Sequence, residues 1–308
     1  MPLDNLKTIK PFPLNPGGTI GVIAPAGVVQ QPAFQQGINR LETMGYAIRL
    51  AEGLFEAEGY LAGKFERRVD QVHQMFSDNR VDVVMCARGG FGSLHLLSHI
   101  DYDIIRNHPK PFIGFSDITA MHCAFFSRAG LVTFHGPMVG TLGASDDQTN
   151  NSWQQNLCAG NGGISKHQMY ALKSGQAEGL VSGGNLSTLC HLLGTPFSPS
   201  FADRIVFIEE INEAPYRIDR MLSQMMMAGC FNGLAGLVLG TFKDCGPDDE
   251  ILGVIDRVFK DVHSPILAGL PVGHGTTNLT MPLGVKARLD ADRAEFVYLE
   301  SPFKTHGH

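Results

Sequence analysis

Short apolar runs alternate with amphipathic segments through the first part of the chain. The run TIGVIA at Thr19–Ala24 predicts a buried strand, and over about residues 31–44 Phe34, Ile38 and Leu41 share one helical face. The same pattern predicts a strand at Ala47–Leu50, a helix at about 66–77, strands at Val81–Ala87 and Pro111–Phe115, and a helix from Asp117 onward. This alternation predicts a mostly parallel sheet with helices on both faces, and ligands bound at the carboxyl ends of its strands.

The composition changes between about residues 142 and 175, where Asn, Gln, Ser, Gly and Asp dominate. Such a stretch is typical of a linker between domains. Beyond it the pattern predicts strands at Arg204–Ile208, Leu234–Phe242 and Pro265–Ala268, a helix at Tyr216–Ala228, and a hairpin of Val285–Leu289 with Glu295–Leu299. We therefore predict an α/β protein with domains at 1–145 and 176–308, the second smaller and mixed, and a linker region at 146–175.

The composition excludes several function classes. The chain has 308 residues, of which 44% are hydrophobic and 18% charged, and a formal net charge of −6. These values argue against a disordered chain, a nucleic-acid partner and an anionic membrane surface. Six cysteines without a C-x-x-C pair indicate free thiols in a reducing compartment. Because no apolar signal core or membrane-length segment is present, we expect a cytoplasmic protein.

Ser116 lies at a corner where a predicted strand ends at Gly114 and a helix begins at Asp117. Such a corner exposes a hydroxyl over a helix N-terminus, where free N–H groups can stabilise an oxyanion. A helix N-cap is the alternative, since serine is common there, and this tetrapeptide alone favours the cap. The segment is not the G-x-S-x-G motif, because position 118 is Ile.

Two further strand ends carry residues of possible chemical use. The glycines after Arg88 can present backbone N–H groups to a phosphate or an oxyanion, or can form a plain tight turn. The adjacent Glu209 and Glu210 end a strand and point to opposite faces, so only one can face a site. Surface solvation is the ordinary explanation of such a pair, and no His lies at the spacing of a zinc site. No metal and no cofactor is predicted.

His274 lies between two glycines in a loop after a predicted strand. It has no helix or strand face on which to pack, unlike His95, His99 and His122, which we interpret as structural. A serine nucleophile needs a base, and the base needs a carboxylate that fixes its tautomer. The chain offers one serine at a corner, one glutamate at a strand end and one histidine in a loop, which is a chemically complete set.

Together these segments resemble the LD-carboxypeptidase family of serine peptidases (murein tetrapeptide carboxypeptidases). The resemblance covers nearly the whole chain in the family's order. Its blocks are IAPAG at 23–27, ARGGFG at 87–92, GFSDITA at 114–120, FHGPM at 134–138, SGGNLSTL at 182–189, IEEINEAPYRIDR at 208–220 and GHGTTNLTMPLG at 273–284.

The resemblance implies roles for individual residues. It makes Ser116 the nucleophile, His274 the base and Glu209 the acid, with the backbone N–H groups of Gly90 and Asp117 as the oxyanion hole. The candidate substrate-binding residues are Arg88, Asn185 and Arg217, and the sequence does not choose between the two arginines for the terminal carboxylate. The family usually has Asp after the triad Glu, whereas this chain has Glu210, which leaves open which carboxylate meets His274.

The resemblance also implies a fold and a reaction. The fold is a flavodoxin-like N-terminal domain joined to a smaller swivelling β/β/α domain, with the triad assembled across the domain interface, and members commonly form homodimers. The reaction removes D-alanine from the muropeptide L-Ala-γ-D-Glu-meso-diaminopimelate-D-Ala in cell-wall recycling. Two alternatives are a microcin-C-type self-immunity peptidase that cleaves a peptidyl-nucleotide, and a non-catalytic muropeptide or nucleotide sensor. The first should stack a nucleobase on an aromatic ring, and the only tryptophan is Trp153.

Overall fold

The chain forms two compact units in a computed structural model that describes residues 7–159 and 169–304. The first unit contains Met1–Gly162, Thr280–Gly284 and Ser301–His308. The second contains Gly163–Leu279 and Val285–Glu300. Each unit has its own sheet and its own buried apolar core, so the two are described in turn.

The strands of the described residues are β1 (Thr19–Ile23), β2 (Ala47–Leu50), β3 (Val83–Cys86), β4 (Phe112–Gly114), β5 (Thr133–His135), β6 (Tyr170–Lys173), β7 (Gln176–Asn185), β8 (Arg204–Ile211), β9 (Gly236–Lys243), β10 (Ile266–Ala268), β11 (Met281–Leu283), β12 (Lys286–Asp290) and β13 (Glu295–Tyr298). The α-helices are α1 (Gln31–Thr43), α2 (Phe65–Ser77), α3 (Tyr102–Asn107), α4 (Thr119–Ala124), α5 (Val139–Leu142), α6 (Asp147–Gln154), α7 (Leu186–His191), α8 (Pro215–Met227) and α9 (Asp248–Val258). None of these helices is long and apolar enough to cross a membrane.

The sheet of the first unit has the strand order β2–β1–β3–β4–β5–β11. Its first five strands are parallel, and β11 is antiparallel to β5, with Met281 opposite His135. The central strands β1 and β3 are buried almost throughout, which explains their continuous apolar sequences. The predicted α/β class is confirmed, and the order of the parallel strands is that of a flavodoxin-like domain.

The second unit is built on a mixed sheet with the order β13–β12–β7–β8–β9–β10–β6. The four strands β7 to β10 are parallel, and the flanking strands are antiparallel. The amphipathic helices α8 and α9 each bury one apolar face, which on α8 consists of Ile218, Leu222 and Met225. This is the second α/β domain of the predicted fold class, the swivelling β/β/α domain.

The compact units have other boundaries than the predicted domains. Residues 147–154 of the predicted linker form α6, and a π-helical stretch continues to residue 159. Trp153 and Leu157 are fully buried there, so a sparse apolar stripe packs into the first unit despite the polar composition. Residues 160–168 of that linker lie outside the described residues, and β6 begins at Tyr170. The strand β11 and the segment from Ser301 join the first unit, because β11 pairs with β5.

His122 on α4 supports the strand that leads to Ser116. It is buried, and its Nε2 donates to the carbonyl oxygen of Gly114 at 2.9 Å. Burial lowers the pKa of His122 to about 4, and the hydrogen bond to Gly114 opposes this shift. The neutral imidazole is therefore part of the folded first unit.

This burial predicts an acid-sensitive fold. Below the ordinary histidine pKa of 6.5 the unfolded chain binds a proton that folded His122 does not bind until about pH 4. The stability contribution is complete above pH 6.5, and we expect the free energy of unfolding to fall by about 3 kcal/mol between these two values. Urea unfolding from pH 7 to pH 4 would measure it. His122→Gln should flatten this dependence and the exposed His191→Gln should not; equal slopes in all three proteins would contradict the prediction.

Candidate active site

Ser116 occupies a strained corner between β4 and α4. Phe115 is extended with φ of −152°, and Ser116 has φ of 65°, the left-handed region that non-glycine residues rarely adopt. A 3₁₀ turn over Ser116–Ile118 then leads into α4. The N-cap position is Phe115, so Ser116 is not the helix cap that the tetrapeptide alone favoured. Such a backbone costs about 1–3 kcal/mol and occurs mainly at functional sites.

The turn of residues 88–92 packs directly against this corner. A Cβ on Gly89 would lie 3.1 Å from the Ser116 Cβ and 3.4 Å from its Oγ. Gly90 has φ of +113°, and a Cβ there would lie 3.3 Å from the Cα of Gly27. Glycine is therefore required here both by the backbone conformation and by the close approach of three chain segments.

Arg88 braces the same turn. Its Nε donates to the carbonyl oxygen of Gly89 at 3.2 Å, and its Nη1 donates to that of Val28 at 3.0 Å. Two of its donors are thus committed to the backbone of the first unit. This contact gives Arg88 a structural part in the turn, whether or not its remaining donors bind a carboxylate.

Asp117 is buried and joined to the residue that follows the turn. Its Oδ2 accepts a hydrogen bond from the backbone N–H of Ser93 at 2.8 Å, and its carbonyl oxygen accepts one from Ser93 Oγ at 2.6 Å. Burial raises the pKa of Asp117, and the Ser93 hydrogen bonds and the charge of Arg68 oppose that shift. Sequence reasoning missed both Ser93 and Arg68, since neither stands in a motif of chemical residues.

Glu209 and His274 form a hydrogen-bonded pair in the second unit. His274 Nδ1 lies 2.6 Å from Glu209 Oε2, which is the distance of a charge-assisted hydrogen bond. Glu209 is fully buried on β8, whereas the His274 side chain keeps 14% of its surface exposed. Burial raises the pKa of Glu209, and the hydrogen bond with His274 opposes the shift. With Nδ1 directed at a carboxylate, Nε2 is the nitrogen that can exchange a proton with a substrate or nucleophile.

Gly273 makes this pair possible. It has φ of +114°, and a Cβ there would lie 2.5 Å from Glu209 Oε2. Its N–H donates to Asn278 Oδ1 at 2.9 Å, which fixes the loop before His274. On the other side, a Cβ on Gly240 would lie 3.1 Å from the Cβ of Glu209, at a register shift between β8 and β9. Gly273 and Gly240 are therefore glycines because the Glu209 side chain lies close to where their Cβ atoms would be.

Glu210 follows Glu209 on β8 and makes a separate set of hydrogen bonds. Its carboxylate accepts hydrogen bonds from Asn185 Nδ2 at 2.9 Å, Ser187 N at 2.7 Å and Ser187 Oγ at 2.6 Å. It anchors the first turn of α7. In the folded second unit His274 therefore contacts Glu209, whereas Glu210 bonds to Asn185 and Ser187.

The remaining predicted substrate-binding residues lie in the second unit. Asn185 caps α7, with its Oδ1 accepting from Thr188 N at 3.0 Å, and it also donates to Glu210. Arg217 lies on α8 with 55% of its side chain exposed, 3.4 Å from Glu213 Oε2. The structure thus joins Asn185 to Glu210, and leaves Arg217 at the surface in a weak ion pair.

The predicted site residues fall into two groups, one in each unit. The first unit brings the turn that contains Gly90 against Ser116 and Asp117. The second unit brings Glu209 to His274. Chemically, the first group offers a hydroxyl on a strained backbone that packs against the glycine turn, and the second offers an imidazole that is oriented by a carboxylate.

Comparisons with known proteins cover almost the entire chain. The sequence profile of the LD-carboxypeptidase N-terminal domain matches residues 20–136, and that of the LD-carboxypeptidase C-terminal domain matches residues 178–289. A probable murein peptide carboxypeptidase of Bacillus subtilis is 38% identical, over 91% of this chain and 91% of its own.

Solved structures agree with these matches. The muramoyltetrapeptide carboxypeptidase from Oxalobacter formigenes has a TM-score of 0.80 at 29% identity, over 91% of this chain and 97% of its own. The microcin C7 self-immunity protein MccF, in complex with aspartyl sulfamoyl adenosine, has a TM-score of 0.88 at 27% identity, over 96% and 100%. By sequence and by structure, the chain belongs to the LD-carboxypeptidase family of peptidases.

Proposed function

We propose that this peptidase is a serine-type LD-carboxypeptidase that releases D-alanine from murein tetrapeptides. The observation that carries the proposal is the 2.6 Å hydrogen bond between His274 and the buried Glu209, which orients an imidazole as a base. The strained backbone of Ser116 supports it from the first unit. The names of the Bacillus and Oxalobacter relatives support a murein peptide as substrate.

In the proposed reaction Ser116 is the nucleophile, His274 the base and Glu209 the acid that orients it. His274 Nε2 takes the proton of the Ser116 hydroxyl as Oγ attacks the carbonyl carbon of diaminopimelate. The N–H groups of Gly90 and Asp117 donate to the oxyanion, a contribution of about 3 kcal/mol for each well-placed donor. The imidazolium then protonates the departing amine of D-alanine. In the second half of the reaction His274 takes a proton from water, which attacks the acyl carbonyl carbon. The imidazolium then returns the proton to Ser116 Oγ as the acyl–enzyme bond breaks, which regenerates Ser116.

The proposed substrate is a free or sugar-linked peptide that ends in meso-diaminopimelate-D-Ala. We propose that the reaction takes place in the cytoplasm, as a step of cell-wall recycling, and that the enzyme is a homodimer. The terminal carboxylate of the substrate calls for a cationic partner. Arg88 has two donors on backbone carbonyls, whereas Arg217 is largely exposed with a weak partner. Arg217 is therefore the better placed of the two to exchange its partner for a substrate carboxylate.

A second candidate is hydrolysis of an aminoacyl or peptidyl nucleotide. It is favoured by the higher TM-score with MccF, 0.88 against 0.80 for the Oxalobacter enzyme. Trp153 cannot serve such a ligand as a stacking platform, because it is fully buried and packs against Tyr46 with ring centroids 5.8 Å apart. A nucleotide substrate therefore needs another aromatic side chain.

Product analysis separates the two candidates. The purified protein is incubated with the diaminopimelate tetrapeptide and, in parallel, with aspartyl sulfamoyl adenosine. The masses of the products are then measured by mass spectrometry. We expect loss of one D-alanine from the tetrapeptide, with little cleavage of the nucleotide. Cleavage of the nucleotide alone would contradict the tetrapeptide proposal, and cleavage of neither compound would contradict both candidates.

A further inference from the structure

Arg68 on α2 reaches the glycine-rich turn from inside the first unit. Its side chain is fully buried, and its Nη1 donates to the carbonyl oxygens of Pro25 at 2.9 Å and Gly92 at 2.8 Å. Gly92 has φ of +127°, and a Cβ there would lie 2.8 Å from that nitrogen. Arg68 thus joins the end of the turn to the loop that follows β1, and only glycine permits this approach.

Ser93 joins the same turn to the Ser116 corner. Its backbone N–H and its hydroxyl both bond to Asp117, at 2.8 Å and 2.6 Å, and it is completely buried. Between the Arg68 contact at Gly92 and the Ser93 contacts to Asp117 there is a single peptide unit. The two residues therefore form a continuous clamp, Arg68–Gly92–Ser93–Asp117, beneath the turn and the corner.

Burial of Arg68 in this clamp has an unfavourable free energy. Arg68 Nε and Nη2 are buried without a hydrogen-bond partner among the described residues. Burying a guanidinium that is only partly paired opposes folding, and an apolar side chain of similar size would avoid the penalty. A cost of this kind is expected where the geometry of a site depends on the residue.

We propose that Arg68 and Ser93 are positioning residues, which hold the backbone N–H groups of Gly90 and Asp117 in the arrangement that a developing oxyanion requires. The inference rests on the function proposed above, in which these two groups stabilise the tetrahedral intermediate. Gly90 precedes the clamped Gly92 by two residues, and Asp117 is itself bonded to Ser93. Backbone donors act only when they are held at hydrogen-bond distance from the oxyanion, so their support matters as much as their presence.

The test compares Ser93→Ala and Arg68→Met with the wild-type protein in two assays. One is the rate of Ser116 phosphonylation by a fluorophosphonate probe, and the other is turnover of the diaminopimelate tetrapeptide. Because a misplacement of about 1 Å costs on the order of 100-fold in rate, we expect both rates to fall about 10- to 100-fold in each variant. KM should change little, since substrate binding is not removed, and Ser93→Thr should restore the rates because it keeps the hydroxyl.

Lys110→Met is the matched control. Lys110 is also a buried cation that donates to a backbone carbonyl, that of Met75 at 3.0 Å, but it contacts neither the turn nor the corner. Its removal should lower stability as Arg68→Met does and leave both rates unchanged. If Arg68→Met does not fold, Ser93→Ala and its Ser93→Thr rescue decide the question alone.

The outcomes separate the inference from the proposed function. Rates in Ser93→Ala equal to those of the wild type, or a loss as large in Lys110→Met, would overturn the positioning role and leave the proposed function intact. A wild type that reacts with the probe but does not cleave the tetrapeptide would overturn the substrate, while the labelling rates still test the clamp. A wild type that fails in both assays would overturn the function and the inference together.

Discussion

Replacing Ser116 with alanine is expected to lower kcat for tetrapeptide hydrolysis by at least about 10⁴-fold, because it removes the hydroxyl on which the proposed acyl-enzyme forms. Alanine and serine both carry a Cβ and adopt the left-handed backbone of this position at a similar cost, so the corner and its stability should be retained. Steady-state kinetics with D-alanine release as the readout, together with thermal unfolding, would measure both quantities.

Two further variants make this prediction specific. Ser127→Ala removes a partly buried hydroxyl of the same unit, which bonds only weakly to the Ala124 carbonyl at 3.4 Å, and it should leave kcat unchanged. The double variant Ser116→Ala/His274→Ala should lose no more activity than Ser116→Ala, since residues that act as a unit are not additive. If the fold-loss of kcat in the double variant equals the product of the losses in the two single variants, the two residues do not act together.

Glu209→Gln is expected to lower kcat by about 10³- to 10⁴-fold, because a neutral amide no longer fixes the tautomer of His274 or stabilises its cation. The same substitution should raise the free energy of unfolding. Burial raises the pKa of Glu209 above its ordinary value of 4.5, so ionisation in the folded protein opposes folding as the pH rises above that value. Glu209→Gln should therefore unfold at a higher denaturant concentration than the wild type at pH 8, and the difference should shrink towards pH 4.5.

Glu210→Gln is the neighbouring control and should show the reverse pattern. Its carboxylate accepts from the buried Asn185 and twice from the partly buried Ser187, and an amide leaves at least one of these donors unpaired. We expect the free energy of unfolding to fall by about 1–3 kcal/mol with a much smaller loss of kcat. A larger loss of kcat in Glu210→Gln than in Glu209→Gln would mean that the other carboxylate serves His274.

Much of the fold follows from the sequence because its central strands are buried on both faces. β1 and β3 are continuous apolar runs between turn residues, and such runs leave few alternatives. α6 was missed because Trp153 is the single apolar side chain among its eight residues, DQTNNSWQ. The edge strand β11 was missed for another reason. It is three residues long, and its pairing with β5 depends on tertiary contacts that no local pattern encodes.

For the candidate site, the sequence indicated the chemical groups but not what holds them. Ser116, Glu209 and His274 stand out in the sequence because they lie at a strand-to-helix corner, at a strand end and between two glycines of a loop. Their supports do not stand out. Arg68 belongs to the buried face of an ordinary amphipathic helix. Asn185 stood in a family block as a candidate substrate-binding residue, and its cap on α7 and its hydrogen bond to Glu210 could not be predicted from that block. Hydrogen-bond partners distant in the chain can be read only from the folded molecule.

The placement of β11 in the sheet of the first unit has a consequence for synthesis. β5 exposes its outer edge until residues 281–283 have left the ribosome and paired with it. Phe303, which stacks on Phe134 at 5.5 Å, arrives later still. At typical translation rates the interval between β5 and β11 lasts roughly 7–30 s. Throughout that time the sheet that leads to Ser116 is incomplete, so a nascent chain cannot complete the first unit before nearly all of the second unit has been made.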